Sequence, residues 1–488
     1  MNRPIRTLAI GCLVLFVALL VNVTYIQGWK ADNLNAEADN SRARNADCSR
    51  KRGPILVNGA SIARSVPSHD SLKYIRTYPG GKSYAPITGR FSCNGLTTGI
   101  EDSQNGVLSG SDQSLFVSRV IDTFSNKTPQ GGSVLLTINP KAQKAAYAGL
   151  EAIPGNAQGA VVALNPKTGA VLAMASTPSY NPDLLAGHKF NQVQRNYRAL
   201  IKDKTQPLLN RATDLRLPPG STFKMIVAAA ALQHGYTPDS QVRGGAKLDI
   251  PQTTHDMTNE NGGNCGGDKI SLTQALAVSC NVSFADLGLR LRSDSPGIVA
   301  EQAKRFGFGE TYLDDLPMAR SVYPSAMDIP QTAQASIGQF DVAATPLQMA
   351  MVASGIANHG TLMKPYLVAE ARSPDLRLLS KAPIETLHQP MSQESADQLT
   401  QMMVSVVQDG TGRPVQIPGV SVAAKTGTAN SAPDRPPYAW IVAFAPADHP
   451  QVAVAVLVQQ SSTNRGEIAG GTLAGPVAVN VIKAVVER

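Results

Sequence analysis

Nineteen residues from Leu8 to Ile26 carry no charge. As a single helix, such a run spans about 30 Å, the thickness of a bilayer's hydrocarbon core. This stretch limits what the rest of the chain can be, because everything after it must fold on one side of a membrane. Arg3 and Arg6 precede the run, and basic residues stay on the cytoplasmic side, so the remainder is expected outside the cytoplasm. Trp29 and Lys30 suit the far interface. A cleaved signal peptide shares this pattern. No small-x-small cleavage pattern follows the run, so an uncleaved, single-pass anchor is expected.

An oxidising compartment gives the cysteines a meaning. Cys12 lies within the apolar run, which leaves Cys48, Cys93, Cys265 and Cys280. Cys48–Cys93 and Cys265–Cys280 are the sequence-local choice among three possible pairings. Their spacing is not that of a zinc site, and no metal or cofactor is expected. The net charge of +8 comes partly from Arg42, Arg44, Arg50, Lys51 and Arg52. That cluster reads as a solvated segment near a membrane or an anionic wall polymer. Only 5% of residues are aromatic and no nucleic-acid motif is present, so no nucleic-acid partner is expected.

Three parts follow along the chain. Residues 1–30 form the tail and anchor. Residues 31–132 are rich in Ser, Gly, Asn and Arg with few periodic apolar runs, and read as a loop-rich pedestal or interaction module. From residue 133 the texture changes. Val134–Ile138 reads as a strand and Pro140–Ile153 as a helix, and Ala160–Leu164 and Ala170–Ala175 read as strands around the turn at Pro166-Lys-Thr-Gly169. Near the C-terminus, Val420–Ala424, Tyr438–Ala445 and Val452–Gln459 read as strands, and Ala474–Val486 as a helix. Strands at both ends with helices between them predict an α+β domain, an antiparallel sheet flanked by helices, over residues 133–488.

Within that domain, Ser221-Thr-Phe-Lys224 is the only Ser-x-x-Lys tetrad in the chain. Pro218-Pro219-Gly220 stops what precedes it, and the apolar, Ala-rich run Met225–Leu232 is a strong helix former. Ser221 is therefore expected at a helix N-terminus with Lys224 one turn on, a nucleophile beside a base. Taken alone, Ser221 reads more simply as a helix cap and Lys224 as a solvated lysine. Two further motifs weigh against that. Ser279-Cys280-Asn281 and Lys425-Thr426-Gly427 follow in order. Ser-x-Asn also occurs at Ser92, Ser103 and Ser462, and Lys-Thr-Gly at Lys167, but only Ser279 and Lys425 keep the order after Ser221.

That ordered triplet resembles the penicillin-binding proteins and serine β-lactamases. Gly159–Ala175, Tyr180-Asn181-Pro182, Leu209-Asn-Arg-Ala212, Ala344–Ala350 and Lys425-Thr-Gly-Thr-Ala429 are similar to the transpeptidases of that group, across roughly residues 133–488. Arg52-Gly-Pro-Ile55 looks like the start of the N-terminal module of the monofunctional, class B members. The resemblance implies a D,D-transpeptidase that cross-links D-Ala-D-Ala stem peptides of peptidoglycan through an acyl-enzyme and is acylated by β-lactams. It also implies work at division beside membrane proteins of the divisome.

The roles it implies are Ser221 as nucleophile, Lys224 as base, Ser279 as proton relay, Asn281 as a holder of Lys224 and of the substrate amide, and Lys425 as the second cation. Thr426 and Thr428 would bind the terminal carboxylate, and Gly427 would let substrate backbone approach. A D,D-carboxypeptidase shares every motif. A β-lactamase lacks support, because no Glu-x-x-Leu-Asn-like element lies between Ser279 and Lys425. A β-lactam sensor or non-catalytic division scaffold is the reading from another class. The segment before Ser133 is too short for a glycosyltransferase domain, and Glu101-Asp102 lacks the aromatic and histidine residues such a domain would show.

Overall fold

The computed structural model describes residues 3–30, 33–34, 48–93, 97–115, 130–431, 436–464 and 468–487. Arg3–Gly28 is one helix of 26 residues with no buried side chain, long and apolar enough to cross a membrane.

The central sheet has five antiparallel strands in the order Ala423–Ala429, Tyr438–Ala445, Val452–Gln460, Gln158–Leu164 and Val171–Thr177. The two ends of the domain meet where Val452–Gln460 pairs with Gln158–Leu164, with Ala455 opposite Val162. Its strands are near-continuous apolar runs because both faces are covered. Side chains alternate between faces. Val162, Leu164, Trp440, Val442 and Leu457 pack in the larger core with helices Lys224–Gln233 and Pro346–Ala357. Val161, Ala163, Ile441, Val454 and Val456 pack in a second core with helices Pro140–Glu151 and Gly475–Val486. At the expected hairpin, the Gly169 N–H donates to Asn165 O at 2.9 Å with φ at +80°, so Lys167-Thr-Gly169 is a turn.

A second sheet departs from the sequence reading. Ser133–Leu136 does not join the central sheet. It sits between Ile55–Val57, to which it is parallel, and Val368–Arg372, to which it is antiparallel. Ala60–Pro67, Tyr74–Thr77 and Leu378–Lys381 complete this six-stranded sheet. The stretch read as loop-rich thus holds three strands that pair with one another in sequence order, and the first of them also pairs with Ser133–Leu136, far along the chain.

Arg52 is also not solvated. It is 2% exposed and bridges Glu101 at 3.0 Å, while Arg76 reaches the other carboxylate oxygen at 2.5 Å. Tyr78 donates to the same carboxylate at 3.3 Å and accepts from the Phe91 N–H at 2.6 Å. A buried charge must be paired, and Glu101, 49 residues beyond the basic cluster's end and without local pattern, supplies the pair. Arg42 and Arg44 lie outside the described residues. Cys48 and Cys93 are disulfide-bonded next to this cluster.

Candidate active site

Gly220–Phe223 forms a tight 3₁₀ turn that runs into the helix Lys224–Gln233. The expected α-helical start at Ser221 is therefore one turn of narrower helix. The turn is fixed from three sides. Gly220 N–H donates to Gly338 O at 3.0 Å, and Trp440 Nε1 donates to Pro218 O at 3.0 Å. Gly220 has φ at +53°, and a Cβ there would meet Thr428 O at 2.7 Å. A Cβ on Gly427 would meet Pro219 O and Thr222 Cγ2, each at 2.9 Å. The glycine of the Lys-Thr-Gly strand is thus required by the protein's own backbone, where the serine turn lies against the strand.

Ser279 lies between two helices, Leu272–Ala277 and Asn281–Asp294. Its φ of +60° is left-handed, uncommon for a residue with a side chain. Its neighbour Cys280 is disulfide-bonded to Cys265, so the reversal is stapled to the loop before it.

Two lysines converge on this serine. Lys425 Nζ donates to Ser279 Oγ at 2.8 Å and to Thr426 O at 2.9 Å. Lys224 Nζ donates to Asn281 Oδ1 and Ser279 O, each at 2.7 Å, and lies 3.4 Å from Ser279 Oγ. Lys224 thus makes its hydrogen bonds to the second motif and not to Ser221. Both lysines are fully buried, and neither has a carboxylate in hydrogen-bonding range among the described residues. Burial drives the Lys224 pKa well below the usual lysine value; the charge of Lys425 lowers it further, and Glu260 opposes both. Burial lowers Lys425 to about 7, again against Glu260.

Ser221, Ser279, Thr426 and Thr428 line one cleft of about 110 Å³. Thr426 Oγ1 is held by Thr411 Oγ1 at 2.6 Å. Sequence reasoning missed Thr411, Glu260 and the Gly470–Thr472 wall of this cleft. Gly470-Gly471 could have signalled a close approach, since a Cβ on Gly470 would strike Trp440 O. Glu260 and Thr411 carry no such mark. A larger cleft of about 840 Å³ lies around Gln233, Glu301 and Tyr323 and contains none of the motif residues.

A serine at the mouth of a tight turn, two buried amines and a strand edge fit a serine acyltransferase of the penicillin-binding type. Two family models match the chain: the penicillin-binding protein transpeptidase domain over residues 159–483, and the penicillin-binding protein A dimerisation domain over 52–134. The chain belongs to the penicillin-binding proteins, in the monofunctional class. The peptidoglycan D,D-transpeptidase PbpA of Mycolicibacterium smegmatis is 41% identical over 100% of both chains. PbpA of Mycobacterium tuberculosis is 38% identical over 100% of this chain and 99% of its own. The structure of penicillin-binding protein A from M. tuberculosis as a ceftriaxone acyl-enzyme superposes with a TM-score of 0.86 at 38% identity, covering 91% of this chain and 100% of that one.

Proposed function

We propose that this chain is a peptidoglycan D,D-transpeptidase in which Ser221 forms the acyl-enzyme. The observation that carries the residue roles is the pair of buried amines meeting at one hydroxyl, Ser279 Oγ. A serine hydroxyl needs a base, and a lysine serves only when neutral. Lys224 is held in that form by burial and by Lys425. Lys224 takes the Ser221 proton as Oγ attacks the penultimate D-Ala carbonyl. The N–H groups of Ser221 and Thr428 receive the oxyanion, each worth about 3–4 kcal/mol in the transition state. Ser279 passes the proton to the departing D-Ala amine, and an amine of a neighbouring stem then takes the acyl group. Lys425, Thr426 and Thr428 face the terminal carboxylate. A β-lactam acylates Ser221 by the same first step.

The setting we infer is an anchor at residues 1–30, a partner-binding module at 31–132 and a catalytic domain at 133–488 outside the cytoplasm, working at division with membrane proteins of that machinery. Arg3 and Arg6 before the apolar helix support the orientation, as do the disulfides.

The test is intact-mass detection of a penicilloyl adduct with peptide mapping. The adduct is expected on Ser221 and absent from Ser221→Ala. An adduct on another side chain, or none, removes the proposal. Incubation with a D-Ala-D-Ala stem peptide and a stem-peptide amine is expected to give cross-linked dimer. Release of D-Ala without dimer would make the enzyme a carboxypeptidase.

A further inference from the structure

Glu260 is an exposed carboxylate on the wall of the cleft that holds Ser221 and Ser279. Its place is built. Thr258, two residues before it, accepts from Asn281 Nδ2 at 3.2 Å. Asn259, buried beside it, accepts from the Val282 N–H at 3.1 Å and donates to Gly245 O and Gly263 O at 3.0 and 2.8 Å. The Cys265–Cys280 disulfide closes the loop that follows. The backbone that carries Glu260 is therefore anchored to the start of helix Asn281–Asp294, the element that carries Asn281 to Lys224.

Glu260 is not the counter-ion of either lysine. Among the described residues it makes no ion pair, and the lysine hydrogen bonds go to Ser279, Asn281 and Thr426. It is close enough for its charge to be felt by both amines. A cleft built to receive an anionic C-terminus gains nothing in that step from a second anion on its wall. After D-Ala has left, the next reactant is an alkyl amine, which is a cation at neutral pH.

We infer that Glu260 forms the subsite for the primary ammonium of the acyl acceptor. This rests on the transpeptidase reading and deepens it. The ammonium docks against the carboxylate as an ion pair and loses one proton to water in the open cleft before it attacks. The neutral amine attacks the acyl carbon, so that the C–N bond forms and the bond to Ser221 Oγ breaks. Of the two protons left on the amine, one reaches Ser221 Oγ through Lys224 and the other stays on the new amide, and the enzyme is regenerated.

The experiment measures partitioning of the acyl-enzyme between aminolysis and hydrolysis on the full chain. It uses a donor peptide ending in D-Ala-D-Ala and two acceptors, a stem-peptide alkyl amine and hydroxylamine, which is uncharged at neutral pH. Products are counted per penicillin-reactive enzyme, so loss of folded protein drops out. Glu260→Gln is expected to lower the aminolysis-to-hydrolysis ratio about tenfold for the alkyl amine, through KM for the amine, with the hydroxylamine ratio held. Glu260→Asp is expected to recover most of it, and Glu260→Lys to lose more. An unchanged alkyl-amine ratio in Glu260→Gln, or equal loss for both acceptors, overturns the inference and leaves the transpeptidase reading intact. Failure of the unaltered enzyme to use either amine would instead remove the transpeptidase reading.

Discussion

The N-terminal module and the active site both bury cations, and they treat them in opposite ways. In the module, Arg52 and Arg76 share the buried carboxylate of Glu101. Burial alone would raise the Glu101 pKa, but the charges of Arg76 and Arg52 overcome it and leave it lowered. The cluster stays charged and acts as a clamp between Arg52, Arg76 and the helix at Ile100–Ser103. In the active site, Lys224 and Lys425 are equally buried but meet a hydroxyl, an amide oxygen and carbonyls instead of a carboxylate. Their charge is therefore weakly held. A buried cation with its counter-ion keeps its proton, and one without it gives the proton up more readily.

Removing Lys224, the proposed base, should give the largest effect. Lys224→Met is expected to slow acylation by penicillin about 10²–10⁴-fold, followed by stopped-flow or adduct mass, while the melting temperature does not fall. A matching loss of stability would mean that Lys224 is a clamp like Arg52. The reciprocal change, Glu101→Gln, leaves two arginines buried without an anion. It is expected to cost about 3–5 kcal/mol in denaturant melts, with acylation per folded molecule unaltered.

Replacing Cys265 and Cys280 together by alanine opens a link of sequence separation 15 and is expected to cost about 3 kcal/mol. Because Cys280 adjoins Ser279, acylation per folded molecule should slow here, unlike in Glu101→Gln. Equal acylation in both would show that the Ser279 geometry does not need the staple.

The smallest effects are the pH slopes. Glu101 has a lowered pKa, so its contribution is present above the unfolded carboxyl pKa and is lost as pH falls through the folded one. The lysine pKa values are lowered, so between pH about 7 and the unfolded lysine value the unfolded chain binds more protons. Stability should therefore rise with pH across that window, and Lys425→Met should flatten the rise. The proposed acylation needs Lys224 neutral and Lys425 charged, so the rate should fall as pH rises through about 7, where Lys425 loses its proton. A pH-independent rate through this range would break the contrast.

Much of the catalytic domain was legible because its signals are local. The apolar runs at Ala160–Leu164 and Val452–Gln459, the Pro166–Gly169 turn and the Ala-rich helix after Ser221 each declare themselves within a dozen residues. The module was less so. Ile55–Val57 is three residues long and lies between Ala60–Pro67 and the distant Ser133–Leu136, a pairing that no local pattern names. Arg52 read as solvated because its partner lies 49 residues away. At the site, Ser221, Ser279 and Lys425 were found by order, whereas Glu260 and Thr411 belong to no motif and enter the cleft only through folding.

By itself, the sequence determined what short-range chemistry determines: an apolar span, helix starts and stops, hairpin turns, and three short motifs of reactive side chains. The tertiary structure decided which of those chains meet. Lys425 reaches Ser279 across 146 positions of sequence. Which cations lose their charge was decided there too, because a lysine's proton affinity depends on what surrounds it in space, and burial and neighbouring charge are properties of the folded chain alone.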